Sequence, residues 1–229
     1  MFEQDEVNIT IVDYGMGNLF SVKRACEYFG ARAIITNSKE DILSSDAVIL
    51  PGVGAFGYAM EALRRLDLVA VLLDLADSSK SIIGICLGMQ LLMSESSEFG
   101  NHDGLGIIKG VVRKFKNPTD TTGKRLKVPQ IGWNQIFIND RIDKNASWEN
   151  SLLGDLSGGE FMYFNHSYYV QPEEPEMILS VSNYANIEFC SSIERNNVFA
   201  CQFHPERSGV DGLKIYGKLI SLIKKRRQR

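Results

Sequence analysis

The chain has 229 residues, 44% hydrophobic and 23% charged, with a formal net charge of −3. That length buries a full core in one large domain or two small ones, and the composition is that of an ordinary soluble globular protein. The mild acidity gives no reason to expect nucleic acid as a partner, and no run approaches the ~20 apolar residues of a membrane span.

The N-terminal MFEQDEVNIT is acidic where a secretory signal is basic and then apolar, so a cytoplasmic setting is expected. Residues 8–13 read as a buried strand, and 18–29 have helical spacing that ends at Gly30. Strands follow at 33–36 and 47–50, the latter ended by Pro51-Gly52, and then a long amphipathic helix at 58–75. A strand at 81–85 runs into a helix at 88–94. Alternating strands and helices predict parallel βαβ units, and continuous apolar runs predict strands buried on both faces. Beyond residue 104 strand-like segments follow one another, at 110–115, 135–138, 161–165, 178–182, 189–194 and 198–203. The expected fold is therefore one α/β domain spanning 1–229. Its open, mostly parallel sheet is flanked by helices and carries antiparallel additions in the C-terminal half. Residues 116–127 and 139–159 are expected as polar surface loops. A helix at 213–224 closes the chain, and the basic run 224–229 is expected to be a frayed, solvated end.

The four cysteines, Cys26, Cys86, Cys190 and Cys201, form no CxxC, and none has zinc spacing to a histidine, so free thiols and no metal are expected. Cys86 stands apart. Gly84-Ile85-Cys86-Leu87-Gly88 has the pattern of a strand-to-helix elbow, whose tight turn requires flanking residues without a Cβ. The following helix would aim its N–H groups at the sulfur and favour the thiolate, and the Leu87 N–H could face an oxyanion. A small cysteine packed at a glycine-flanked strand end reads the same way from the pentapeptide alone. A base candidate is His204 in Phe199-Ala200-Cys201-Gln202-Phe203-His204-Pro205-Glu206. In an extended segment Glu206 points the same way as His204 and can hold its tautomer, with Pro205 keeping the segment from turning helical. The turn Gly52-Val53-Gly54 can present N–H groups to an anion or be a plain turn. The stretch Asp13-Tyr14-Gly15-Met16-Gly17-Asn18 lacks the third glycine of a dinucleotide fingerprint.

Together GICLGMQLL, PGVGAF and QFHPE resemble the motifs of the class I glutamine amidotransferases. Within that class DYGMGNLFSV, VPQIGWN and YFNHSYYV are similar to the glutaminase subunits of imidazole glycerol phosphate synthase, a resemblance running from about residue 9 to 222. It implies that Cys86 attacks the side-chain amide of glutamine, His204 acts as base and then acid, and Glu206 orients His204. It implies an oxyanion hole from Gly52, Val53, Gly54 and Leu87. Gln90, Glu98, His166, Ser167 and Tyr168 would hold glutamine, and no cofactor is called for. The ammonia would pass to a separate (βα)8-barrel cyclase, the two forming a heterodimer. That partner makes imidazole glycerol phosphate and aminoimidazole carboxamide ribotide in histidine biosynthesis. Met16, Asn18, Tyr163 and Arg207 fall in the matching interface motifs. The distance from the first strand to the end of the chain leaves no room for a synthase domain, which also points to an acceptor on another polypeptide.

Three positions depart from the family pattern. Gln130 stands where histidine is common, Asn165 where an aliphatic residue is usual, and Arg207 where lysine is common. None touches the Cys86, His204 and Glu206 positions, and several departures fall near the expected partner face. A paralogous branch that supplies ammonia for amidating a surface-polysaccharide sugar is therefore the alternative, with some likeness in residues 206–216. A non-catalytic binding subunit and a stand-alone cysteine hydrolase are further alternatives.

Overall fold

The computed structural model describes residues 6–139 and 147–228. Its first half alternates strands with helices: β1 (Asn8–Val12), α1 (Leu19–Tyr28), β2 (Arg32–Thr36), α2 (Lys39–Ser44), β3 (Ala47–Gly52), α3 (Phe56–Arg65), α4 (Val69–Ala76), β4 (Ser81–Cys86) and α5 (Leu87–Leu91). The second half is mainly strand: β5 (Glu95–Ser96), β6 (His102–Asp103), β7 (Gly110–Lys114), β8 (Gln130–Gln135), β9 (Phe137–Ile138), β10 (Phe161–His166), β11 (Tyr168–Pro172), β12 (Ile178–Tyr184), β13 (Ile187–Arg195) and β14 (Val198–Cys201). Helix α6 (Gly209–Arg227) follows.

The main sheet has eight strands in the order β2-β1-β3-β4-β14-β13-β12-β9. Pairings from β2 to β14 are parallel, and those from β14 to β9 are antiparallel. This is the expected mixed α/β sheet. Alternate side chains feed two cores. Val48, Leu50 and Ile82 pack with α3, α4 and α5, while Ala47, Ile49, Ile83 and Ile85 pack with α1 and α6. A four-stranded sheet (β11-β7-β5-β6) and the pair β10-β8 are built beside it.

The predicted helix at 58–75 is two helices. Asp67 takes a left-handed φ of 55°, and the N–H groups of Leu68 and Asp67 return to the carbonyls of Leu63 and Arg64. These two bonds are a complete C-terminal capping motif, with aspartate where glycine usually stands. Gly30 closes α1 in the same way, as expected. The helix predicted at 88–94 begins earlier and is shorter, Leu87–Leu91. The strand predicted at 135–138 is the junction of β8 and β9. The basic C-terminal run is ordered helix through Arg227, whose guanidinium pairs with Asp46 and donates to the Glu6 carbonyl, so it is not a frayed end. Residues 140–146 of the second predicted loop lie outside the described residues, as do 1–5 and 229. The rest of that loop buries Trp148, Leu152 and Leu153, so it is not simply a polar surface segment. Among the described residues no helix is long and apolar enough to cross a membrane.

Candidate active site

Cys86 ends β4 and caps α5 with φ 54° and ψ −108°, a strained conformation for a residue with a side chain. The close packing around it explains the glycines. A Cβ on Gly88 would lie 1.7 Å from the Leu50 carbonyl oxygen, and one on Gly84 would lie 3.0 Å from both Ala200 Cβ and Met89 N. Cys86 is almost buried, at 5% exposure.

β14 is the parallel neighbour of β4, with Cys201 opposite Ile85. Two strands that are distant in sequence thus end side by side, and His204 lies just beyond the second. His204 Nδ1 is 2.9 Å from Glu206 Oε1, which leaves Nε2 for the sulfur. Burial alone lowers His204, but the charge and hydrogen bond of Cys86, followed by those of Glu206, outweigh it and push the imidazole up to about 10. The segment is not extended throughout. Pro205 opens a 3-10 turn, Pro205–Arg207, because its fixed φ suits the first position of a helical turn. Glu206 reaches His204 across that turn.

A cavity of about 220 Å³ opens beside the sulfur, lined by Val53, Gly54, Cys86, Leu87, Gln90, Glu98, Pro129, Asn165, His166, Ser167 and Tyr168. It is below the roughly 300–1,000 Å³ of drug-sized sites, which fits an amino-acid-sized occupant. Gly52 stands behind this wall. Its missing Cβ would lie 2.2 Å from the Tyr14 hydroxyl, which donates to the Pro51 carbonyl at 2.7 Å. Glu98 accepts from the Phe56 N–H at 2.7 Å, which ties the start of α3 to the pocket. Three contributors were not anticipated from the sequence: Tyr14 under the glycine turn, the Asn165 carbonyl 4.0 Å from Sγ, and buried Gln202, whose Nε2 donates to Sγ at 3.5 Å. An amide in an otherwise apolar strand leading into His204 was the available signal for Gln202.

The profile of the class I glutamine amidotransferases, described as "Glutamine amidotransferase class-I", matches residues 10–215. The chain is a class I glutamine amidotransferase. A protein of Chlorobium chlorochromatii named imidazole glycerol phosphate synthase subunit HisH is 42% identical over 93% of this chain and 100% of its own length. One of the same name from Bacillus cereus is 44% identical over 90% of this chain and 91% of its own. The solved structure of PurLQS from Thermotoga maritima shares the fold, with a TM-score of 0.67 at 18% identity, covering 95% of this chain and 99% of that one.

Around the amidotransferase cavity, the expected interface residues fall into two groups. Met16 lies against Gly54, whose missing Cβ would sit 3.7 Å from its sulfur, and Asn18 is exposed at the start of α1. Tyr163 and Arg207 meet on the other side, the guanidinium 4.4 Å from the ring centroid. Gln130 is buried opposite His166 in the β8–β10 register. Among the described residues, neither its Oε1 nor His166 Nε2 has a hydrogen-bond partner.

His166 gives a pH prediction. Burial among Phe115, Phe164 and Phe189 lowers it to about 4 from 6.5, with His204 adding in the same direction and the bond to the Tyr168 carbonyl opposing. Between those values the unfolded chain binds the extra proton, so His166 costs stability as the pH falls from 6.5 towards 4. Relative to a His166→Phe variant, wild type should lose about 2 kcal/mol between pH 7 and pH 5 in urea unfolding. Parallel pH profiles would show that His166 is not held neutral.

Proposed function

We propose that this amidotransferase is the glutaminase subunit of an imidazole glycerol phosphate synthase, works in the cytoplasm as one domain, and delivers ammonia to a (βα)8-barrel cyclase. The observation that carries the chemistry is Cys86 at a strained elbow, with His204 held by Glu206 at 2.9 Å beside an amino-acid-sized cavity. His204 Nε2 takes the thiol proton, and the sulfur attacks the side-chain carbonyl carbon of glutamine. The N–H groups of the Gly52–Gly54 turn and Leu87 receive the oxyanion, and Glu98, Ser167 and Tyr168 bind the amino-acid end of glutamine. His204 returns its proton to the amide nitrogen as the C–N bond breaks, releasing ammonia and leaving a thioester. Water then attacks, its proton passing to His204. The C–S bond breaks, glutamate leaves, and the proton returns to sulfur.

Support for a partner comes from the surface. Ile131, Trp133 and Phe161 are all more than half exposed, and they share one face of the β8–β10 pair with Tyr163, on which Arg207 stacks, and with Asn165, whose carbonyl faces Cys86. Such an apolar face beside a site that releases ammonia fits a second protein that receives the ammonia before water protonates it. Purified alone, the chain should hydrolyse glutamine poorly. Adding the cyclase of the same organism with its ribonucleotide ligand should raise glutamate production at least about tenfold, which is ~1.4 kcal/mol of barrier. Full turnover by the lone chain would overturn the coupling. Stimulation only by a sugar-amidating partner would move the assignment to that branch, which the replacements at Gln130, Asn165 and Arg207 keep in view.

A further inference from the structure

Gln202 is fully buried, directly after β14, where the sheet gives way to the His204 segment. Its backbone is pinned, since its N–H donates to the Ser191 carbonyl at 2.9 Å. Its side chain joins a short relay. Gln90 Nε2 donates to the Tyr168 carbonyl at 3.0 Å and to Gln202 Oε1 at 3.0 Å, and Gln202 Nε2 donates to Cys86 Sγ at 3.5 Å. The polarity of this relay is set by the main chain. A carbonyl oxygen only accepts, so Gln90 must turn its amide nitrogen towards Tyr168. The same nitrogen faces Gln202, which must therefore present oxygen to Gln90 and nitrogen to the sulfur.

We propose that Gln202 is a catalytic residue of the amide hydrolysis, a permanent hydrogen-bond donor to the Cys86 sulfur whose aim is set by Gln90 and the Tyr168 carbonyl. The proposal rests on the reading of Cys86 as the nucleophile. An amide N–H differs from His204 in that it cannot hand its proton to sulfur. It stabilises the thiolate whatever the protonation state of the imidazole, with a charge-assisted bond. It also serves the second half of the cycle, when the thiolate leaves the thioester and a donor beside the departing charge helps it go. Gln90 and Tyr168 both line the glutamine cavity, so the donor is braced by the wall against which the substrate packs.

The test is the pH profile of Cys86 alkylation by iodoacetamide on the full chain, wild type against Gln202→Met, which keeps a long side chain and removes the donor. Burial pushes Cys26 up to about 12 and also raises Cys190 and Cys201, which slows their reaction, and the difference from a Cys86→Ala chain isolates the Cys86 signal. In Gln202→Met the alkylation profile should move to higher pH by about one unit, so that on its rising limb the rate falls about tenfold. With the synthase partner present, kcat for glutamine should fall more than KM rises. A folded Gln202→Met chain with an unchanged alkylation profile overturns the proposal. Retained glutaminase activity in Cys86→Ala would instead overturn the underlying reading. If Gln202→Met does not fold, the wild-type chain still decides. The side-chain amide protons of Gln202, followed by NMR, should shift as Cys86 titrates, and resonances that stay still through that titration overturn the proposal.

Discussion

Replacing Cys86 by alanine should lower glutamine-dependent synthesis by the assembled pair on the order of 10³-fold or more, while synthesis from added ammonium salt survives. The sulfur supplies the only bond to the acyl group in the proposed cycle, and His204 and Glu206 have nothing to activate without it. The Cβ of alanine fits where that of cysteine already stands, so the elbow and the docking face stay intact. The ammonium-dependent rate separates the two roles. A variant that loses both activities has lost its partner contact or its fold. A variant that keeps the glutamine-dependent rate shows that another group is the nucleophile. The readout is product formation by the cyclase with glutamine and with ammonium salt, measured side by side.

Gly88→Ala should be the most damaging small substitution in the chain. The new methyl would be placed 1.7 Å from the Leu50 carbonyl oxygen, and Leu50 lies in β3, opposite Gly84 of β4. A Cβ is fixed by its own backbone and the oxygen is backbone, so no rotamer relieves the clash. Helix α5 must lift from the sheet, carrying the Leu87 N–H and Gln90 with it. The expected cost is about 3 kcal/mol or more in urea unfolding, with loss of glutaminase activity. Gly15→Ala is the control. Its φ is +88° with nothing within 4 Å of the added methyl, so backbone strain alone applies, about 1–2 kcal/mol. Similar costs for the two variants would mean that steric contact at the elbow is not what excludes a side chain from position 88.

The parallel half of the sheet is readable because its strands are buried on both faces and appear as nearly continuous apolar runs, Ala47–Leu50 and Ile82–Ile85 among them. The Asp67 break was invisible because Leu66, Leu68 and Val69 continue the apolar pattern across it. The apolar pattern does not mark helix α2, although Ser38 caps it by accepting from the Asp41 N–H, a signal present in Ser38-Lys39-Glu40-Asp41. The predicted strand at 135–138 meets only the last residue of β8, whose outer side chains Ile131 and Trp133 are exposed and break the usual apolar-in pattern. In the site, Cys86, His204 and Glu206 were legible because elbow chemistry and base spacing demand particular residue types at particular places. Gln202 was not, since which neighbour a buried amide meets depends on strand order, and nothing local to 198–206 says that β14 lies beside β4.

That neighbour relation has a consequence for how the molecule is made. β4 emerges early in synthesis, while β14, which fills the gap between β4 and the antiparallel strands, emerges more than a hundred residues later. Until β14 inserts, β4 presents an open edge, and Cys86 has neither His204 nor the Gln202 amide beside it. In the proposed cycle the thiol therefore gains its base and its amide donor only when the last strand closes the sheet. A nascent or misfolded chain carries an ordinary cysteine, and its hazard is edge-to-edge association rather than uncontrolled hydrolysis.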